Sequence, residues 1–157
     1  MRFAAKRFEV GGGPFIGFDV ARELLVDAGA ANGCIVYAYD RLPANPGQID
    51  RSNGEIRAFR RRVRTLSGQD VGVIEFAESF GTTTPSCTAD GPNYSTYPPS
   101  CNTGTGWCAL SDPRTVDITS LSFNRPGGGF FTQAGTGGRP GLQLREIAVD
   151  IQGQLIG

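Results

Sequence analysis

The chain has 157 residues, enough for one domain with a real core and too few for two. Its fifteen basic and fifteen acidic residues cancel, which removes any global pull toward nucleic acid or an anionic membrane. It contains no histidine, so the commonest general base, the commonest zinc ligand and every Ser-His or Cys-His nucleophile pair are missing, and no enzymatic activity is expected. The hydrophobic fraction of 39% is ordinary, but 23 glycines and 10 prolines suit a turn-rich, strand-rich domain with long loops.

Residues 1–13 read as a lead-in, with Phe3, Arg7 and Phe8 at helical spacing before the glycine run 11–13 breaks it. Pro14 suits the first turn of a new helix, and a helix is predicted over 14–29. Ile16, Val20, Leu24 and Ala28 fall on one face of it with Leu25 beside them. Arg22, Glu23 and Asp27 take the other face, and Gly29 supplies the left-handed cap. Residues 34–157 are then assigned to sheet and loops.

Cys34 to Asp40 is a β-rich run and a predicted strand. The loop from Arg41 ends in Asn53-Gly54, a strong turn signal, and Glu55 to Leu66 follows as a second strand. A turn at Gly68-Gln69-Asp70 leads to a third strand, Val71 to Phe76. Gly81 to Gly106 is almost all Thr, Ser, Pro, Gly, Asn and Cys, a loop long enough to need cross-links to order it. The stretch Trp107 to Phe123 holds the only tryptophan, a turn at Asp112-Pro113 and strict alternation from Val116. It reads as a central strand covered on both faces, with Trp107 over the sheet edge. After a glycine-rich loop from Pro126 to Gly141, the alternation of Arg145 to Leu155 closes the sheet. The expected fold class is α+β: a single domain with an N-terminal amphipathic helix packed on an antiparallel sheet.

Three constellations are candidates for chemistry. Asp40, Asp50, Ser52, Asn53 and Glu55 gather hard oxygen ligands around one loop, a candidate calcium site without the full spacing of a calcium-binding loop. No other cofactor is expected. Arg57, Arg60, Arg61, Arg62 and Arg64 crowd one strand, and alternation puts Arg57 and Arg61 on one face, Arg60, Arg62 and Arg64 on the other. Such a row could grip a phosphate backbone or a partner, but zero net charge favours a solvated sheet face that also blunts edge pairing. The third constellation is Gly127–Gly129 with Gly135–Gly138, which lacks the Gly-Lys-Ser/Thr and helix context of a phosphate cradle and reads as surface loop.

Cys34, Cys87, Cys101 and Cys108 lack zinc-knuckle spacing, and their even number favours two disulfides and an oxidising compartment. Three pairings are open. No apolar run approaches the ~20 residues of a membrane-spanning helix, and no apolar core of a signal peptide follows the basic start. Disulfides without an export signal lead to the expectation of an excised soluble domain carrying an added start methionine.

Cys34-Ile35-Val36-Tyr37-Ala38-Tyr39-Asp40 with Gly54 to Arg60, the stretch from Trp107 to Phe123, and Arg145 to Ile151 together resemble the periplasmic part of minor type IV pilins and pseudopilins of the PilW/PulJ-like class. The resemblance covers about a third of the chain. It implies a pilin-like globular head whose membrane-stored N-terminal helix is absent. It also implies a non-enzymatic subunit that primes or caps a type IV pilus or secretion pseudopilus. The implied partners are other minor pilins or pseudopilins and the major pilin, with a membrane contact only through the missing helix. Inner-membrane anchoring in the periplasm, then an extracellular place in the assembled pilus, is implied as well. The alternative is a DNA- or surface-binding tip adhesin using the arginine strand. Family members with one cysteine in the first strand and one shortly before the tryptophan imply the pairs Cys34–Cys101 and Cys87–Cys108.

Overall fold

The structure, a computed structural model, describes residues 2–5, 8–10, 13–15, 32–38, 51–124, 131–133, 142–146 and 148–157. Eleven strands occur among them: β1 (Arg2–Ala5), β2 (Phe8–Val10), β3 (Gly13–Phe15), β4 (Cys34–Ala38), β5 (Ile56–Leu66), β6 (Gln69–Glu78), β7 (Cys108–Ala109), β8 (Val116–Asn124), β9 (Phe131–Gln133), β10 (Leu142–Glu146) and β11 (Ala148–Leu155). The only helical element among the described residues is one 3-10 turn, Arg51–Asn53.

The long β5–β6 hairpin organises the fold. Ser67 (φ 52°) and Gly68 (φ 80°) both take positive φ, the geometry of a two-residue turn whose twist matches that of its flanking strands. That turn fixes the register from Leu66↔Gln69 back to Arg57↔Glu78. β4 adds to one side of the hairpin and the short β7 to the other, giving an antiparallel sheet in the order β4-β5-β6-β7.

Opposed residues of an antiparallel pair share a face, so this register sorts the side chains. One face carries Ile35, Tyr37, Phe59, Phe76, Arg61 and Ile74. The other carries Cys34, Val36, Ala58, Ala77, Arg60, Glu75, Val73 and Arg64. On the first face lies a two-stranded ribbon, β8 paired with β11, with an irregularity between Gln152 and Gly153. Ile118, Leu121 and Phe123 of β8 meet Ile35 and Ile74 there, and Tyr37, Phe59 and Val116 pack around them.

Two glycines let the layers meet. The Gly33 N–H donates to Leu121 O at 2.8 Å, and a Cβ on Gly33 would lie 2.5 Å from that oxygen. A Cβ on Gly72 would lie 1.9 Å from Ile118 O, so only glycine admits β8 at this distance.

The expected α+β class is corrected: among the described residues the fold is β, with no α-helix. Pro14 and Phe15, read as the start of a helix, instead pair as strand with Glu9 and Phe8, and the lead-in residues Arg2–Ala5 pair with β10. Phe8 and Val10 alternate along the chain, a pattern a pleated strand accepts as readily as a helix accepts the wider spacing. The rest of the expected helix, residues 16–31, lies outside the described residues. The strand after Asp112-Pro113 is not central: β8 has one core face and belongs to the ribbon, not the four-stranded sheet. Trp107 covers the second face of that sheet, packed on Cys34, Ala58 and Ala77, instead of its edge. The closing strand is two strands in different sheets, since β10 pairs with β1 and β9 while β11 pairs with β8. Within the expected glycine-rich loop, Phe131–Gln133 is strand.

Candidate functional site

The second face of the four-stranded sheet is covered by the segment between β6 and β7, and the arginine-rich strand holds it there. Arg60, 1% exposed, lies opposite Glu75, 0% exposed, on adjacent strands. Its Nε donates to Glu75 Oε2 at 2.7 Å, and its Nη2 lies 2.7 Å from the same oxygen, off hydrogen-bond alignment. Its Nη1 donates to the Cys87 and Ala89 carbonyls at 2.9 and 2.7 Å. The guanidinium sits 3.8 Å from the ring centroid of Trp107, which is wholly buried and donates its indole N–H to Ser86 O at 3.1 Å. Burial lowers the Arg60 pKa from its usual range, and the Glu75 charge opposes that shift.

Arg62 donates to Cys87 O at 2.9 Å. Arg64 donates to Glu75 Oε1 through Nε at 3.1 Å and Nη2 at 2.7 Å, and lies over the Tyr94 ring. Tyr94 donates its hydroxyl to the same Oε1 at 3.2 Å. Burial, then the Glu75 charge, pushes the Tyr94 phenol well above its ordinary range. Gly91 crosses directly over this pair. A Cβ there would stand 2.1 Å from Arg64 Nη2 and 2.8 Å from both Glu75 oxygens. One buried carboxylate thus gathers two guanidiniums and a phenol, and four carbonyl bonds pin the loop around it.

The other candidate arginines are engaged as well. Arg61, on the opposite face, donates to Ile118 O and to Asn32 Oδ1, tying the hairpin to the ribbon. Arg57 pairs with Glu78 at 2.6 Å beside Phe76. The alternation of these five side chains matches the sequence reading, but they do not form an open row of cations on a solvated face.

The disulfides are Cys34–Cys87 and Cys101–Cys108, in place of the implied Cys34–Cys101 and Cys87–Cys108. The first staples β4 to the loop beside the Arg60 cluster. The second closes a short loop that Asn102 shapes locally, its Oδ1 accepting from the Gly104 and Thr105 N–H groups at 3.0 and 3.1 Å. With Cys101 and Cys108 seven residues apart on either side of that turn, local closure wins over a long-range link.

Of the calcium candidates, Asp40 and Asp50 lie outside the described residues. Ser52 and Asn53 are exposed and Glu55 is fully buried, and none of the three is without a partner. Among the described residues, no three metal-ligating side chains come together. Glu75, Tyr94 and Gly91 escaped the sequence reading. Glu75 had a usable signal: a lone carboxylate in the apolar run Val71 to Phe76, which a turn at Ser67-Gly68 sets opposite Arg60.

The loop so anchored presents its outer side to solvent. Tyr97, 50% exposed, donates to Asp112 Oδ2 at 2.7 Å, and the Arg114 guanidinium lies 3.5 Å over its ring. The hydrogen bond from Tyr97, then that from the Arg114 backbone N–H, holds the Asp112 carboxyl below its ordinary range. The same bond raises the Tyr97 phenol. A family model described as prepilin peptidase-dependent protein B matches residues 8–157. The chain belongs to this family. No curated protein and no solved structure matches it. Membership of the prepilin peptidase-dependent protein B family makes it a protein associated with type IV pili or pseudopilins, with pilus components as partners and two disulfides in its fold. Both Glu75 oxygens are taken up by donors from within the fold, Oε2 by Arg60 and Oε1 by Arg64 and Tyr94.

Proposed function

We propose that this protein is a minor pilin or pseudopilin subunit of the PilW/PulJ-like kind, acting without catalysis or cofactor. It primes or caps the assembly of a type IV pilus or secretion pseudopilus through contacts with other minor pilins and the major pilin. Its place is the periplasmic side of the inner membrane, and then the outside of the cell in the assembled fibre. The observation that carries this reading is the family match across residues 8–157. The anchored loop supports it physically, because a loop held by a buried ion cluster and two disulfides offers a partner a surface that is already ordered. The arginine strand gives no support to a DNA-binding tip, since Arg60 and Arg61 are buried and engaged within the fold.

The test is co-expression with the minor pilins and major pilin of the same system, followed by affinity co-purification and fibre counting in a deletion strain. A stable complex with another minor pilin and a loss of fibres are expected. Normal fibres in the deletion strain, with no complex recovered, would overturn the reading.

A further inference from the structure

β11 is the one long strand whose outer side has no strand beside it among the described residues. Its neighbour β8 uses both edges: β11 on one side, and Gly33 N–H and the Arg61 side chain on the other. All eight residues of β11 are exposed, and Val149, Ile151 and Leu155 are apolar at 49%, 57% and 86% exposure. Edge strands of monomers are normally blunted by lysine, proline or inward-pointing charge. Ala-Val-Asp-Ile-Gln-Gly-Gln-Leu has none of these and a single charge, Asp150, and the irregularity beside Gly153 comes from an extra residue on β8, Thr119, which leaves β11 itself continuous.

We propose that β11 pairs antiparallel with β11 of a second copy of this chain, joining two ribbons into one continuous sheet. The sequence is complementary to itself about Gln152. A two-fold axis there sets Val149 opposite Leu155 and Ile151 opposite Gly153, apolar on apolar. It also sets Asp150 opposite Gln154 and Gln152 opposite its own copy, so no like charges meet. This register covers both ends of the apolar row at once. Zero net charge leaves no long-range repulsion between copies. A single strand edge is small as interfaces go, so the dimer forms reversibly and is read best at high concentration.

Sedimentation velocity of the 157-residue chain, from low micromolar to near-millimolar concentration, is expected to show a monomer–dimer equilibrium. Ile151→Lys is expected to abolish it without lowering the melting temperature, because Ile151 stands mostly in solvent. Gln152→Cys, whose new thiol faces its own copy, is expected to cross-link into a covalent dimer under mild oxidation several-fold faster than Asp150→Cys. A monomer at every concentration, a dimer that survives Ile151→Lys, or equal cross-linking of the two cysteine variants would each overturn the proposal.

Discussion

Replacing Glu75 by glutamine keeps shape and one acceptor but removes the charge that two guanidiniums and a phenol share. Breaking a buried pair from one side costs about 3–5 kcal/mol, because the remaining charge is left in a low-dielectric site. Two features moderate that cost here. Arg60 keeps its bonds to the Cys87 and Ala89 carbonyls, and Arg64, 29% exposed, can turn to water. A loss of about 3 kcal/mol is therefore expected, and for a domain of this size each kcal/mol lowers the melting temperature by roughly 2–4 °C, so the midpoint falls by roughly 6–12 °C. Thermal unfolding of the oxidised protein at neutral pH, followed by Trp107 fluorescence and circular dichroism, measures it. Trp107 is the only tryptophan and lies against Arg60, so it reports on the cluster itself. Arg60→Met combined with Glu75→Leu removes the buried pair but also the donors to the Cys87 and Ala89 carbonyls and the acceptor of Arg64 and Tyr94, so it is expected to recover only part of the loss. If Glu75→Gln stays within about 0.5 kcal/mol of the parent, the range of an ordinary surface substitution, the cluster does not anchor the loop and the reasoning fails.

Gly91→Ala places a Cβ against Arg64 and Glu75 and is expected to cost about 1–3 kcal/mol by chemical denaturation, against near zero for Gly104→Ala. Ser67→Asn puts a residue tolerant of positive φ at the hairpin turn and is expected to raise stability by about 0.5 kcal/mol in the same assay. Tyr94 is neutral in the fold with its pKa raised, so its contribution is whole below the ordinary tyrosine value near 10 and is lost as pH rises toward the folded value. Unfolding midpoints above that pH are expected to fall less steeply in Tyr94→Phe than in the parent. Peptide mapping without reduction should recover Cys34–Cys87 and Cys101–Cys108. By the loop-closure rule, replacing the first pair with alanines should cost about 4 kcal/mol and the second about 2 kcal/mol in urea unfolding.

Three of the four strands of the central sheet, β4, β5 and β6, were legible because their signals are local; the two-residue β7 was not, and Gln69 and Asp70, expected in the turn, begin β6. β-branched runs and the Asn53-Gly54 and Gly68 turns are written within a few residues of each element, and alternation sorted the five arginines onto their faces. What those arginines do was not legible. A guanidinium facing water and one facing Glu75 have the same sequence signature until the hairpin register and the loop above are known. The disulfides failed for a related reason: family likeness favoured a long-range link, while the Asn102 turn that brings Cys101 to Cys108 is local chemistry passed over. The ends of the chain misled through periodicity, since a short segment such as Phe8 to Phe15 supports either a helical or an alternating reading. β8 was correctly read as a strand and wrongly placed, because alternation reveals which residues share a face but not which sheet receives them.

The Cys34–Cys87 bond also changes how the molecule would bear load. A pull along the chain reaches Cys34 and passes through the sulfurs to Cys87, by-passing the whole β5–β6 hairpin. The 53 residues of separation correspond to about 180 Å of extended chain that stays folded away from the force until the bond is reduced. Stretched between its termini, the oxidised protein is expected to lengthen by about 200 Å less than the fully reduced one, because opening Cys101–Cys108, with its separation of 7 residues, adds about 24 Å to the same difference. The strands carrying Arg60 and Glu75 then lie in a shielded segment of the chain, whichever way its ends are drawn.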